Sequence, residues 1–228
     1  MITVAEYISR FLSKQGLEQC FIVPGGGAMF LNEAFRKNKS IEVLPMHHEQ
    51  ACAMAAEGYT KLNNKPAILS VTTGPGAINA LNGVYGAYTD SVPMFVVSGQ
   101  VKRETYGPIQ SKNLRQLGDQ EVDIVTMVKK ITKYAKTITD INKLDEVLET
   151  AYKTMVSGRK GPVWIDVPID IQSTNIDIKQ FKKIDIEKKN IDLSDKLKKV
   201  IQMLDNSKRP VVIVGSGVRL SNSDLILI

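Results

Sequence analysis

Short apolar runs alternate with segments of helical period along most of this 228-residue chain, and this alternation constrains the fold more than any other feature. The run at 20–23 stops at Pro24 and three glycines, and the run at 67–72 stops just before Gly74. Strands of a parallel sheet that are buried on both faces have this composition. Strands that alternate with helices predict an α/β fold, a doubly wound and mainly parallel sheet with helices on both faces.

The individual elements follow from the hydrophobic period. A capping-box pattern at Thr3 and Glu6 begins the first helix, and Gly16 ends it. The predicted helices are 3–15, 28–37, 50–61, 77–89 and 142–156. The predicted strands are 20–23, 42–44, 67–72, 94–98, 134–138 and 163–167.

The pattern predicts a first domain over residues 1–171, a linker over 172–193 and the beginning of a second α/β domain over 194–228. Lys, Asp and Ile in the linker sustain neither a helical nor a strand period. In the second domain, Ser194 is predicted to cap a helix with one apolar face, and residues 210–214 are predicted to form a buried strand. A domain typically has ~100–150 residues, so the second domain is expected to be truncated.

Charge and composition exclude several classes of protein. The formal charge is +6, but residues 1–100 hold seven basic and seven acidic groups, so the excess lies in residues 101–228. Its lysines alternate with Asp and Ile rather than with aromatic residues, which predicts a solvated surface and no nucleic-acid partner. No segment approaches the ~18 apolar residues of a membrane span, and the N-terminus lacks a signal-peptide pattern. Reduced, buried thiols at Cys20 and Cys52 fit a cytoplasmic protein.

Three glycine-rich turns follow predicted strands, at residues 25–27, 74–76 and 215–217, where the backbone can approach a ligand closely. None has the spacing of a dinucleotide fingerprint or a Walker loop. Glu49 lies where a predicted helix begins, and a carboxylate at this place is also explained by the helix dipole, a contribution of ~0.3–1 kcal/mol. The neighbouring His47 and His48 lack a third ligand, so no metal site is predicted.

Several segments together resemble one enzyme family. In order they are IVPGGGA, HHEQACAMAAEGYTKL, SVTTGPGAINALNGVYGAYTDSVPMFVVSGQV, QEVDIV, IDVPIDIQ and KRPVVIVGSGVRL. This order and spacing are similar to the N-terminal half of the large subunit of acetolactate synthases, which are thiamine-diphosphate-dependent enzymes. The resemblance implies a pyrimidine-binding domain of a transferase. Such a carboligase decarboxylates pyruvate and transfers the two-carbon unit to a 2-keto acid in branched-chain amino-acid biosynthesis.

The resemblance also implies roles for particular residues. Glu49 is expected to hydrogen-bond N1′ of the cofactor's aminopyrimidine and to favour the imino tautomer, whose nitrogen removes the C2 proton of the thiazolium. A buried carboxyl group can share a proton with such a ring nitrogen. The other cofactor-binding residues implied are Pro24, Gly25, Gly26, Thr73, Gly74, Pro75, Gly76 and Asn79. On the substrate side the resemblance implies Gln100, Asp119 and Gln120.

The chain departs from the family in two respects. Acetolactate synthases typically have an aromatic residue where this chain has Asp119, so a related enzyme acting on a nucleotide-linked keto sugar in polysaccharide biosynthesis is an alternative. The family's Gly-Asp-Gly segment, which carries Mg²⁺ and the diphosphate, is absent from these residues. We therefore expect the missing C-terminal domain to bind Mg²⁺ and the chain alone to be inactive. A non-catalytic dimerisation module is a further alternative.

The family also implies partners. A homodimer or homotetramer is expected, and Gly58, Gly83 and Gly86 are predicted to permit close helix packing, partly across a subunit interface. A regulatory small subunit and FAD in the full-length enzyme are both left open.

Overall fold

The computed structural model describes residues 1–106, 114–177, 184, 192–221 and 223. They divide into two compact units, Met1–Asp185 and Ile186–Ile228. The domain boundaries given above stay a prediction. Much of the predicted linker lies outside the described residues.

The first unit is built on a six-stranded parallel sheet, as predicted. Its strands lie in the order β3-β2-β4-β5-β7-β6. A second sheet pairs β1 with β8 in antiparallel orientation, and β8 falls inside the segment predicted as a linker. The strands are β1 Ile2–Thr3, β2 Gln19–Ile22, β3 Glu42–Pro45, β4 Ala67–Val71, β5 Met94–Gln100, β6 Tyr134–Thr137, β7 Val163–Pro168 and β8 Asn175–Ile176.

Helices flank this sheet, and the alternation of side chains along the strands separates two hydrophobic clusters. Cys20 and Ile22 of β2 pack into one cluster, and Phe21 between them packs into the other. The helices of this unit are α1 Val4–Lys14, α2 Met29–Lys37, α3 Glu49–Asn63, α4 Pro75–Asn79, α5 Leu81–Thr89, α6 Ile124–Val128, α7 Leu144–Val156 and α8 Ile169–Gln172. Residues 103–106 are also helical, and short 3-10 turns lie at Gly26–Ala28 and Ile141–Lys143.

The start of the first helix agrees with the sequence prediction, and the helix predicted over 77–89 does not. The capping box at Thr3 and Glu6 is present, with both reciprocal hydrogen bonds, and α1 begins where it was predicted. The single helix predicted over 77–89 is wrong. Its first part begins earlier, at Pro75, because proline presets the dihedral of a first helical residue. At Ala80 the backbone N–H turns to the carbonyl of Ala77 at 3.2 Å, which separates α4 from α5.

The predicted role of the helical glycines can be tested residue by residue. A Cβ built on Gly83 would lie 2.5 Å from Cβ of Ala53 and 2.9 Å from the backbone nitrogen of Met54, so close packing of α5 against α3 requires glycine there. At Gly86 the nearest atom is Oε2 of Glu57, at 2.9 Å, on a flexible side chain. Within the described part of the chain nothing lies within 4 Å of a Cβ on Gly58.

We therefore expect opposite effects from two alanine substitutions. Gly83→Ala should lower the free energy of unfolding by about 1–3 kcal/mol, the usual cost of overpacking against rigid neighbours. Gly58→Ala should raise it by up to about 1 kcal/mol, because alanine favours a helix interior over glycine. Urea unfolding of the two variants beside the wild-type chain measures both. Equal losses in the two variants would contradict the packing described here.

The second unit contains α9 Ser194–Asp205 and α10 Gly217–Leu220. Ser194 does not cap α9. It is the first helical residue, and Oδ1 of Asp192 accepts hydrogen bonds from its backbone N–H at 2.9 Å and its hydroxyl at 2.5 Å. The buried strand predicted over 210–214 is also wrong. These residues have no regular structure, and Val211 and Ile213 are 85% and 93% exposed, because no described strand of this unit pairs with them.

The two cysteines are unpaired and buried, as predicted. Burial raises the pKa of the Cys20 thiol, and burial together with the nearby Glu49 carboxylate raises that of Cys52 to about 11. Among the described residues, no helix combines the length and the apolar character needed to cross a membrane.

Candidate functional site

The carboxyl ends of β2, β3, β4 and β5 meet at one edge of the parallel sheet, which is where such sheets usually bind ligands. The segments after these strands bring most of the residues predicted for the site to this edge. They are Pro24, Gly25 and Gly26 after β2, Glu49 after β3, and Thr73, Gly74, Pro75, Gly76 and Asn79 after β4.

The Glu49 carboxylate lies almost buried at this edge, with 8% of the residue's surface exposed. It is the first residue of α3, and His48 before it caps the helix by accepting the N–H of Gln50 at Nδ1, 3.1 Å away. Asn79 donates to Oε2 of Glu49 at 3.1 Å. Within the described part of the chain, Oε1 receives no hydrogen bond. One carboxylate oxygen is thus fixed by the protein, and the other is left for a further partner.

Gly76 lies directly against this carboxylate. A Cβ at this position would lie 3.1 Å from Oε1 of Glu49 and 2.7 Å from Cγ2 of Thr72. The short helix α4 that holds Gly76 also ends at Asn79, and its first turn is closed by the N–H of Ile78 on the carbonyl of Gly74 at 2.9 Å. The turn and the helix together bring glycine backbone and an amide donor to Glu49.

The turn after β2 packs against the turn after β4. The N–H of Gly27 donates to Oγ1 of Thr72 at 3.1 Å, and a Cβ on Gly25 would lie 2.5 Å from Cβ of that threonine. A Cβ on Gly27 would lie 1.8 Å from Oγ1 of Thr73. Pro24 and Gly26 are exposed, and nothing lies within 4 Å of a Cβ on Gly26. Gly25 and Gly27 therefore make the contact, and Gly26 faces open space.

Gln120, one of the residues predicted for the substrate side, lies against the turn after β4, at Gly74. Gly74 has φ +58° and ψ −114°, a conformation that side chains disfavour, and a Cβ there would lie 2.0 Å from the carbonyl oxygen of Gln120. Gln120 itself has φ +58°. Both Gln120 and the neighbouring Asp119 are exposed. The structure thus brings the predicted cofactor and substrate segments into contact through backbone atoms.

Gln100 is 1% exposed at the end of β5, and both ends of its side-chain amide are engaged. Its Nε2 donates to the carbonyl of Val122 at 2.9 Å and to Oδ2 of Asp166 at 3.1 Å. Its Oε1 accepts the N–H of Val101 at 3.0 Å. The place of Gln100 on the substrate side stays a prediction. The hydrogen bonds of its side chain are to other residues of the protein.

Asp166 should give the stability of the chain a pH dependence of unusual sign. Burial, opposed by hydrogen bonds from Ser98, Gln100 and Thr137, raises its pKa to about 7. The unfolded value is ~3.9, so the contribution of Asp166 to stability is complete below pH ~4 and is lost as the pH rises through 7. The wild-type chain should accordingly lose stability relative to Asp166→Asn between these values, measured by urea unfolding at a series of pH values.

Asp170 provides the control of opposite sign. Its pKa is lowered because hydrogen bonds and the charge of Arg103 outweigh the opposing effect of burial. The contribution of Asp170 to stability is therefore present above the unfolded pKa and is lost as the pH falls. The difference in free energy of unfolding between wild type and Asp170→Asn should accordingly become smaller towards acid pH. If the difference in free energy of unfolding between wild type and Asp166→Asn did not change with pH, the raised pKa of Asp166 would be contradicted.

Buried oxygens without a hydrogen-bond partner concentrate around these turns. In the described residues they are Asn32 Oδ1, Ser70 Oγ, Thr73 Oγ1, Glu121 Oε1 and Gln172 Oε1. Asn32 donates to the carbonyl of Gly25 at 3.2 Å, and Gln172 donates to that of Gly27 at 2.8 Å. Buried acceptors without a donor are uncommon in native proteins. Two of the five, on Ser70 and Thr73, are hydroxyl oxygens that can donate as well as accept.

Several residues of this edge were not predicted from the sequence. Thr72 and Gln172, which hold the two turns together, were not singled out, and Gly27 was named only as part of the glycine-rich turn 25–27. Gly27 and Thr72 belong to the PGGG and TTGPG segments, and that proximity in sequence to predicted site residues was an available signal. Gln172 lies 145 residues from the glycine that it contacts, and no local pattern reveals such a pair.

Comparisons with known proteins agree on one family. The family described as "Thiamine pyrophosphate enzyme, N-terminal TPP binding domain" matches residues 2–127. The chain is 33% identical over 227 residues to the chloroplastic acetolactate synthase of Arabidopsis thaliana, an alignment that covers 97% of this chain and 32% of the relative. It is also 33% identical over 222 residues to the acetolactate synthase large subunit of Lactococcus lactis subsp. lactis, covering 96% of this chain and 37% of the relative.

The large subunit of Buchnera aphidicola subsp. Acyrthosiphon pisum gives the same result, with 32% identity over 233 residues and coverage of 98% of this chain and 38% of the relative. The chain thus spans about a third of the length of the curated relatives that it matches.

Proposed function

Because the chain belongs to the thiamine pyrophosphate enzyme family, through the N-terminal TPP binding domain, we propose that it forms the pyrimidine-binding part of a carboligase similar to acetolactate synthase. Such an enzyme decarboxylates pyruvate and transfers the two-carbon unit to a 2-keto acid. The observation that carries the proposal is the nearly buried Glu49 carboxylate, with Oε2 held by Asn79 and Oε1 without a donor in the described residues.

The residues at the sheet edge fit the pyrimidine end of thiamine diphosphate. Gly76 lies beside Oε1 of Glu49, which receives no hydrogen bond from the described residues and could accept an N–H of the aminopyrimidine. The bound cofactor would supply a carbanion at C2 of its thiazolium ring and an electron sink for decarboxylation. The task left to the protein is to orient the ring and to control one proton.

Glu49 is the group that we assign to this proton. Its Oε1 would share a proton with the N1′ ring nitrogen, and the hydrogen bond from Asn79 keeps the carboxylate from rotating away. Gly76 leaves room beside Oε1, because a side chain there would lie 3.1 Å from that oxygen. A positioned acid or base contributes typically 10²–10⁴-fold to a rate.

The diphosphate end requires other residues. In the described part of the chain, no group of three or more His, Cys, Asp and Glu side chains could hold a metal ion. We propose that Mg²⁺ and the diphosphate are bound by residues beyond these 228, and that the chain by itself is inactive. A flavin in the complete enzyme is a separate proposal that these residues do not address.

Asp119 supports a second candidate function. An exposed carboxylate occupies the position where acetolactate synthases typically have an aromatic residue. An anionic side chain at the substrate side repels a small 2-keto acid acceptor, whose carboxylate adjoins the reacting keto carbon. In a nucleotide-linked keto sugar the sugar separates the phosphates from the keto group, so that the repulsion is weaker. Asp119→Phe should then shift the preference towards the 2-keto acid.

Partners follow from the same proposal. Exposed apolar side chains on α3 and α5, among them Met54, Leu62 and Tyr85, support a homodimer or homotetramer. A regulatory small subunit and a place in the cytoplasm remain proposals of the same kind.

The test is an assay of the intact natural protein that contains this chain, with pyruvate, thiamine diphosphate and Mg²⁺. We expect release of CO₂ and formation of a 2-hydroxy-2-alkyl-3-keto acid, both dependent on the cofactor. Product formed only with a nucleotide-linked keto sugar as acceptor would favour the second candidate. No cofactor-dependent decarboxylation of any 2-keto acid would contradict both.

A further inference from the structure

Asp166 is a fully buried carboxylate in β7, and the proposed function gives it no role. It receives three hydrogen bonds, from Oγ of Ser98 at 2.6 Å, Nε2 of Gln100 at 3.1 Å and Oγ1 of Thr137 at 3.3 Å. The indole N–H of Trp164 donates to Oγ of Ser98 at 2.8 Å, which directs the serine proton towards the carboxylate. Among the described residues each of these hydrogen bonds is donated to Asp166, and the charge of Asp123 also acts on its carboxyl group.

A buried carboxylate is a costly group, and well-packed apolar residues often stabilise a core as well or better. Its consequence here is a fixed orientation of Gln100. If the amide of Gln100 were flipped, its oxygen would face both the Asp166 carboxylate and the carbonyl of Val122. The flip would also turn the amide nitrogen towards the N–H of Val101. Gln100 therefore joins the sheet to the carbonyl of Val122 in only one way.

Val122 follows Gln120 by two residues, and Gln120 is the residue whose carbonyl lies against Gly74. The φ of +58° at Gln120 is a conformation that a residue with a side chain adopts only when its surroundings hold it there. The contact from Gln100 to the carbonyl of Val122 is one such restraint. A second is the backbone N–H of Gly118, which donates to Oε2 of Glu121 at 2.7 Å.

We propose that Asp166 and Gln100 are positioning residues that fix the segment 118–122 against the Gly74 turn and so shape the acceptor side of the site. The identity of the substrate in this inference rests on the proposed function. The ordering of the segment rests on the hydrogen bonds alone. Neither residue needs to touch the cofactor or the substrate. Gln100 orders the backbone that carries Asp119 and Gln120, and Asp166 orders Gln100.

The experiment compares Gln100→Met with Ser98→Ala in the intact natural protein. Gln100→Met keeps the length of the side chain but loses the bonds to both Val122 and Asp166. Ser98→Ala is the matched control, because it also removes a donor from the buried Asp166 but does not touch the segment 118–122. Hydrogen exchange of the backbone amides is measured first, and steady-state kinetics with the 2-keto acid acceptor second.

In Gln100→Met the amides of 118–123 should exchange about tenfold faster, as expected from the loss of one buried hydrogen bond. The KM for the acceptor should rise by a similar factor, and the affinity for thiamine diphosphate should change less than about twofold. Ser98→Ala should change neither the exchange of 118–123 nor this KM. Unchanged exchange in Gln100→Met, or equal changes in the two variants, would overturn the inference, and so would faster exchange with an unchanged KM.

A second variant keeps the test decisive if Gln100→Met does not fold. Gln100→Asn retains an amide in the buried network but is one methylene too short to reach both Asp166 and Val122, so it should show the same faster exchange and higher KM. Hydrogen exchange needs neither cofactor nor substrate. If the amides of 118–123 exchange faster in the variant as expected, but the protein shows no cofactor-dependent turnover, the proposed function is wrong. The role of Gln100 in ordering this segment would still stand.

Discussion

Glu49→Gln should reduce the thiamine-diphosphate-dependent turnover of the intact natural protein by about 10²–10⁴-fold, the usual contribution of a positioned proton-transfer group. The amide has nearly the shape of the carboxylate and keeps an acceptor oxygen for the side chain of Asn79, 3.1 Å away in the wild type. It cannot take up or share a proton at its other end. Affinity for the cofactor should therefore change much less than turnover, which calorimetric titration measures.

Glu57→Gln is the control for this substitution, because Glu57 lies two turns further along the same helix and pairs with Lys61. It should leave turnover within about twofold of wild type, since eight residues of helix place Glu57 about 12 Å along α3 from Glu49. A Glu49→Gln variant with wild-type turnover would exclude the assigned role. A large loss in both variants would point to damage of α3 rather than to proton transfer.

Gly74→Ala should be the most damaging of the glycine substitutions at the site. Its φ of +58° with ψ of −114° is strained for any side chain, and the new Cβ would lie 2.0 Å from the carbonyl oxygen of Gln120. Strain of this kind costs about 1–3 kcal/mol, and relief of the overlap must displace the turn or the Gln120 segment. We expect urea unfolding to show a loss of about 2–4 kcal/mol.

Gly26→Ala is the matched control, because nothing lies within 4 Å of the new Cβ and its φ is not positive. It should change the free energy of unfolding by less than about 0.5 kcal/mol, as surface substitutions usually do. Any effect of Gly26→Ala on cofactor affinity would then report contact with the ligand. Equal destabilisation by the two substitutions would show that the Gly74 contact is not what holds the turn.

The architecture was predictable because the apolar runs are long enough to show a period. Each of the six strands in the main sheet was predicted within two residues of its observed ends, and the capping box placed the start of α1 correctly. The strands β1 and β8 have two residues each, too few for any period. The interruption at Ala80 depends on one shifted backbone hydrogen bond, which no residue type there indicates.

The run 210–214 shows where local pattern fails. Its composition is that of a buried strand, but burial depends on a neighbouring strand, and the described residues of this unit offer none. The hydrophobic pattern of a segment shows which side chains could be buried. It does not show whether a neighbouring strand is available to bury them. Val211 and Ile213 are accordingly exposed.

The site divides in a similar way. The resemblance led to Glu49, Asn79 and the two glycine turns, and the structure brings these residues together at one edge of the sheet. It did not lead to Asp166, because the hydrogen bond from Ser98 to this carboxylate joins residues 68 apart in the sequence. Local pattern carries no information about such long-range contacts.

The central claim is that Glu49 controls the proton at the pyrimidine ring and thereby activates C2 of the cofactor. The most direct measurement is the rate at which the C2 proton of bound thiamine diphosphate exchanges with deuterium, followed by proton NMR after acid quench, in the intact natural protein and in Glu49→Gln. We predict exchange in the wild type that is faster by about 10²-fold or more than in the variant, with both proteins saturated with cofactor. Equal exchange rates in the two saturated proteins would contradict the claim.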